Sequence, residues 1–183
     1  MRNAFRMIMA TALMACVAPM ADAKRAPNLE FKSLSGATAK FADLRGSITV
    51  INFWATWCGP CREELPLLSK LSEEYGAKYA QGKVRFIAIS ADEDPGNKKN
   101  RTKIDHFLNE HKPGMEVWVG ADLDMLGRLG LGNVLPATIV LDEQGEVVAK
   151  VLGQAHEEDV RKPLDWLLKG KSGDAPVAVT KRY

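Results

Sequence analysis

Residues Ile48 to Trp54 form a continuous apolar and β-branched run, Ile-Thr-Val-Ile-Asn-Phe-Trp, and three residues further on the chain reads Cys58-Gly59-Pro60-Cys61. A run without clean polar alternation is the pattern of a strand covered on both faces. The segment beyond it changes period. Leu65, Leu68, Leu71 and Tyr75 recur at three- and four-residue spacing, which predicts a helix over 59–79. Pro66 removes one backbone donor inside that helix and is expected to bend it. A buried strand that hands the chain directly to a helix demands a sheet with covers on both sides.

The junction also carries chemistry. A Cys at the first turn of a helix meets unpaired backbone N–H groups and the positive end of the helix dipole, and both favour thiolate over thiol. Cys58 occupies that place, and Cys61 lies one turn on. Cys58 is therefore read as the attacking nucleophile and Cys61 as the deeper, resolving thiol of a dithiol/disulfide cycle. Half of a zinc site is the usual rival for this spacing, but zinc asks for four ligands and no second Cys pair or close His pair follows. His106, His111 and His156 are the only histidines, and all three read as solvated. A structural disulfide would close too small a loop to stabilise the chain much.

Along the rest of the chain, residues 31–34 and 38–41 flank Ser35-Gly36-Ala37 and read as a hairpin. Residues 84–90 form a second continuous apolar strand, followed by a polar loop through 92–100 and a helix over 98–111 with Ile104, Phe107 and Leu108 as its stripe. A short strand at 115–119, a helical segment at 123–129, a hairpin of 138–141 with 147–152, and an amphipathic helix over 157–169 complete the pattern. Strands alternating with helices and closing on a hairpin suggest an α/β fold with a central mixed sheet between helices. The pattern alone leaves several such folds open.

The segment Phe53-Trp54-Ala55-Thr56-Trp57-Cys58-Gly59-Pro60-Cys61-Arg62-Glu63-Glu64-Leu65-Pro66 resembles the active-site segment of TlpA/ResA-like thiol-disulfide oxidoreductases, the extracytoplasmic branch of the thioredoxin fold. Leu135-Pro136-Ala137-Thr138 resembles the cis-proline loop of that family, and Leu141 to Glu146 the hairpin after it. The resemblance implies a thioredoxin fold over residues 28–170, with an added N-terminal hairpin and a strand-helix insertion around 91–121. It implies that Glu64 handles the proton of the resolving thiol, since Asn52 stands where thioredoxin has its buried Asp. It implies a cis bond before Pro136 and a substrate groove lined by Trp57 and Leu135, with Trp54 left to the core. Gly59-Pro60 is the pair of thioredoxin itself and implies a reducing poise. The implied clients are protein disulfides, with apocytochrome c or copper-site cysteines typical of the family, and the implied electron source is a membrane protein. No cofactor beyond the Cys58–Cys61 disulfide and no metal is expected.

Three rival functions could draw on the same pair of cysteines. A peroxiredoxin-type peroxidase needs a Thr three residues before its reactive Cys, where this chain has Ala55. A thioredoxin-like Cu(I) metallochaperone suits soft thiolates, but such chaperones resemble CxxxC with a distant His. A disulfide donor uses the same pair in the opposite direction.

Arg2 and Arg6 precede an apolar stretch over 7–17, and Ala21-Asp22-Ala23 follows as a small-residue cleavage site, so residues 1–23 read as a secretory leader and the protein as periplasmic. Cys16, after Leu13-Met14-Ala15, offers lipidation as the alternative end. A formal net charge of +2 supports no nucleic-acid partner, and a monomer is expected. Residues 171–183, with Gly, Ser, Pro and scattered lysines, read as a flexible tail.

Overall fold

In a computed structural model the described residues are 25–183 apart from 93, 95 and 112, so the leader, Cys16 and the cleavage motif lie outside them. Eight strands form one mixed sheet: β1 (Glu30–Ser33), β2 (Thr38–Lys40), β3 (Ile48–Trp54), β4 (Val84–Ser90), β5 (Glu116–Val119), β6 (Ala137–Leu141), β7 (Val147–Gly153) and β8 (Val179–Arg182). Their order is β2-β1-β5-β4-β3-β6-β7-β8. Strands β3, β4 and β5 run parallel at the centre, β6 lies antiparallel to β3, and β7 returns beside β6. The helices are α1 (Gly59–Lys78), α2 (Lys98–His111), α3 (Leu123–Arg128) and α4 (Glu157–Leu168).

Side chains alternate across the sheet, so each strand feeds two cores. Ile48, Val50, Phe86, Val140 and Val151 face Leu68, Leu71 and Tyr75 of α1 and Val160, Leu164 and Leu167 of α4. Further along the same face, Trp54, Ala88, Val117 and Val119 pack with Cys61 and Leu65 of α1 and with Ile104 and Phe107 of α2. The opposite face, through Ile51, Phe53, Ile87, Ile89 and Ile139, is closed by Leu126 of α3 and by Leu29, Phe31, Phe41 and Leu44 of the N-terminal segment. All seven residues of β3 are buried, which is why its sequence shows no alternation. The α/β fold with a mixed sheet, N-terminal hairpin and inserted α2–β5 unit is the one expected.

Three readings are corrected. The second strand of the hairpin ends at Lys40, one residue early, because Phe41 already belongs to the turn into the core expected over 41–46, a 3-10 helix at Phe41–Leu44. His111 is not freely solvated: its ring sits 4.3 Å from that of Phe107, and its side chain is 21% exposed. The tail is not a loose end. Its last residues form β8, parallel to β7, with Lys150 opposite Val179 and Gly153 opposite Arg182. Arg182 clamps that strand to α4 through two bonds to Asp159, at 2.8 and 3.0 Å. The polar composition hid this because an edge strand needs little burial of its own.

Candidate active site

The carboxyl-terminal ends of β3 and β4, the start of β6 and the exit from β7 meet at one end of the sheet. The chain leaves β3 at Trp54, which is fully buried and stacks on Phe107 with ring centroids 4.5 Å apart. The next residues are pinned from β4. Asp92, two residues beyond that strand, accepts the Thr56 N–H at 3.0 Å, the Thr56 hydroxyl at 2.6 Å and the Ser90 hydroxyl at 2.8 Å. Arg62 of α1 closes the turn by donating to the Thr56 carbonyl at 3.1 Å. Trp57 is then thrown outward, 69% exposed, directly before Cys58.

Cys58 has extended backbone and occupies the N-cap of α1, and its sulfur accepts the Cys61 N–H at 3.3 Å where a capping Ser or Asp would use oxygen. Pro60, at the second helical position, has no N–H to offer. The first turn carries no acidic residue to oppose a thiolate. Cys58 and Cys61 are joined as a disulfide, their Cα atoms 5.4 Å apart. Cys58 keeps 5% exposure and Cys61 none, so an incoming sulfur meets Cys58 first.

Leu135 packs on the apolar cluster that contains both cysteines, and the Leu135–Pro136 bond is cis. The Pro136 carbonyl accepts the Gly153 N–H at 3.0 Å, which ties this loop to the end of β7.

Glu64 lies one turn after Cys61 on α1 and is 1% exposed. Its Oε1 accepts the Ala155 N–H at 3.0 Å and the Thr138 hydroxyl at 3.2 Å, and its Oε2 accepts Asn52 Nδ2 at 3.1 Å. Burial pushes this carboxyl up to about 7 against the lowering effect of those three bonds, and Asp159 adds a smaller upward push. A group that titrates near neutrality can take and return a thiol proton. Glu63, its neighbour in sequence, is exposed and accepts from Gln154 at 3.4 Å.

The structure thus brings Cys58, Cys61, Glu64, Trp57, Leu135 and Pro136 to one end of the sheet. Sequence reasoning gave no role to Thr138, Asp92 or the Ala155 N–H. Thr138 and Asn52 did leave a signal, since each is a polar residue inside a strand that is mostly apolar and wholly buried. The Ala155 donor is backbone and leaves none.

Comparison with known proteins places this geometry. Residues 23–150 match the AhpC/TSA family. The thiol-disulfide oxidoreductase ResA of Bacillus thuringiensis (strain Al Hakam) is 32% identical over 137 residues, covering 75% of this chain and 73% of that protein. The chain belongs to the ResA-like thiol-disulfide oxidoreductases of the AhpC/TSA family. A second relative, the thioredoxin-like protein YneN of Bacillus subtilis (strain 168), is 30% identical over 146 residues, 79% of each chain. In fold, a thiol-disulfide oxidoreductase from Bacteroides fragilis NCTC 9343 superposes with a TM-score of 0.65 at 21% identity, over 79% of this chain and 99% of that one. The ResA-like assignment makes the Cys58–Cys61 pair a protein-disulfide oxidoreductase centre. Ala55, fully buried and without a hydroxyl, separates it from the peroxidase pattern.

Proposed function

We propose that the protein works outside the cytoplasm as a reductant of protein disulfides. The observation that carries the direction is Pro60, which at the second helical position offers no N–H to the Cys58 sulfur. A dithiol pair is strongly oxidising when its reduced form is stabilised, as in DsbA. Here Pro60 withholds a donor from the helix start, so a Cys58 thiolate gains modest stabilisation and the pair is poised to give electrons away.

The Cys58 thiolate attacks one sulfur of a client disulfide, forms a mixed disulfide and expels the client's other sulfur as thiolate. Cys61 passes its proton to Glu64, attacks the Cys58 sulfur and releases the second client thiolate. Two electrons have then moved from the dithiol to the client, and the Cys58–Cys61 disulfide remains. Trp57, Leu135 and the backbone beside Pro136 hold an extended client segment by main-chain hydrogen bonds and apolar contact, which asks little of its sequence. Apocytochrome c and copper-site cysteines are clients of this kind. A membrane electron-donor protein returns the pair to the dithiol. Export rests on the charged, apolar and small-residue pattern of residues 1–23, with lipidation at Cys16 as the alternative anchor.

A Cys61→Ser variant expressed with its leader should accumulate mixed disulfides through Cys58, visible on non-reducing gels and lost with dithiothreitol. Their absence, together with retained Cu(I), would replace exchange with metal delivery. The reduction potential decides direction: a value near thioredoxin's, about −270 mV, supports a reductant, and one near DsbA's, about −120 mV, makes the protein a disulfide donor.

A further inference from the structure

The polar groups around Glu64 can be counted atom by atom. Three donors meet its two oxygens: the Ala155 N–H, the Thr138 hydroxyl and one N–H of Asn52. The second Asn52 N–H donates to Thr138 Oγ1 at 3.0 Å. A threonine hydroxyl has one hydrogen, and once its oxygen accepts from Asn52 that hydrogen is directed to Glu64. Asn52 therefore governs two of the three donors, one directly and one by orienting Thr138. All three groups meet the carboxyl as donors, so they favour its carboxylate form against the burial that favours the acid.

The placement is built into the sheet. Asn52 and Thr138 are direct cross-strand partners on β3 and β6, on the face that α1 covers, and both are buried. Asn52 Oδ1 is buried without a partner. An orphaned carbonyl is a standing cost, and it persists here because the amide is turned so that both its hydrogens serve Thr138 and Glu64.

We propose that Asn52 is a positioning residue for the resolving step, holding Glu64 as a carboxylate ready for the Cys61 proton. It acts through Glu64 and touches no reacting sulfur. The inference rests on the reading of Glu64 as proton acceptor. It also reverses the role of this strand position: where thioredoxin has an acid, this chain supplies the donor for an acid delivered from the helix. The charged and titratable groups around Glu64 are Cys61 one turn earlier on α1, Asp159 of α4, bonded to Arg182 of β8, and His156 beside Ala155. Among the described residues, only Asn52 and Thr138 donate side-chain hydrogens to it.

The test is a carbon-13 NMR titration of the Glu64 carboxyl in the oxidised full-length protein. Asn52→Ala should raise the Glu64 midpoint by about one pH unit, a tenfold gain in proton affinity. Thr138→Val should raise it less, and Thr138→Ser should restore the wild-type value. In the wild type, the Asn52 side-chain amide resonance should move with the Glu64 midpoint. An unchanged midpoint in Asn52→Ala, or an Asn52 amide that ignores the Glu64 titration, overturns the proposal. Should Asn52→Ala fail to fold, the Thr138 pair and the wild-type amide decide alone. The underlying reading fails separately, if Glu64→Gln leaves the pH profile of single-turnover exchange unchanged.

Discussion

At the scale of single residues, Glu64 links catalysis to stability. Its carboxyl titrates at about 7 in the folded protein and near 4.5 when unfolded, so the native state binds this proton more tightly. The stability gained from it is full below about 4.5 and is lost as pH rises to about 7, by on the order of 3 kcal/mol. Urea unfolding of the oxidised protein at pH 5 and pH 8 should show that fall, and Glu64→Gln should flatten it. An equal slope in the variant would mean that other groups carry the effect. The reacting residues were legible because the active-site motif is local: Cys58, Cys61 and Glu64 fall within seven consecutive positions. Their support was not. Asn52 and Thr138 are 86 residues apart and meet only through the pairing of β3 with β6. Asp92 reads as loop polarity until the parallel pairing of β4 with β3 brings it under Thr56.

At the scale of elements, periodicity located every helix and the long strands, because each covers a face of the sheet. It failed at β8, whose four residues alternate between exposed and half-buried and carry no apolar stripe. That strand nonetheless reaches the site. Gly153 has a positive φ of 95°, and a Cβ there would lie 2.7 Å from the Arg182 carbonyl oxygen, so the junction of β7 with β8 requires glycine. Two residues on, the same turn presents the Ala155 N–H to Glu64. Deleting residues 179–183 should loosen that donor and leave Asp159 without Arg182, and both changes raise the proton affinity of Glu64. The NMR titration of the truncated protein should therefore show a higher midpoint, and amide exchange should quicken along β7. An unmoved midpoint would show that β8 is only a cover for the sheet edge.

At the scale of the whole molecule, the sheet has two edges, and both are short. β2 contributes three residues and ends on Lys40, while β8 contributes four and includes Lys181 and Arg182. Short, charged edges discourage pairing between copies of a chain. Sedimentation velocity of the oxidised protein should accordingly give a concentration-independent monomer, and a concentration-dependent dimer would show that one edge is used. The resemblance supplied this architecture at once, whereas composition and net charge narrowed it little. The two blunt edges also bear on traffic through the molecule. Under the function proposed above, the clients would bring strands looking for a neighbour, and a long bare edge would hold them where no sulfur waits. With both edges short and charged, the proposed client would instead lodge beside Pro136, within reach of the one bond it came to exchange.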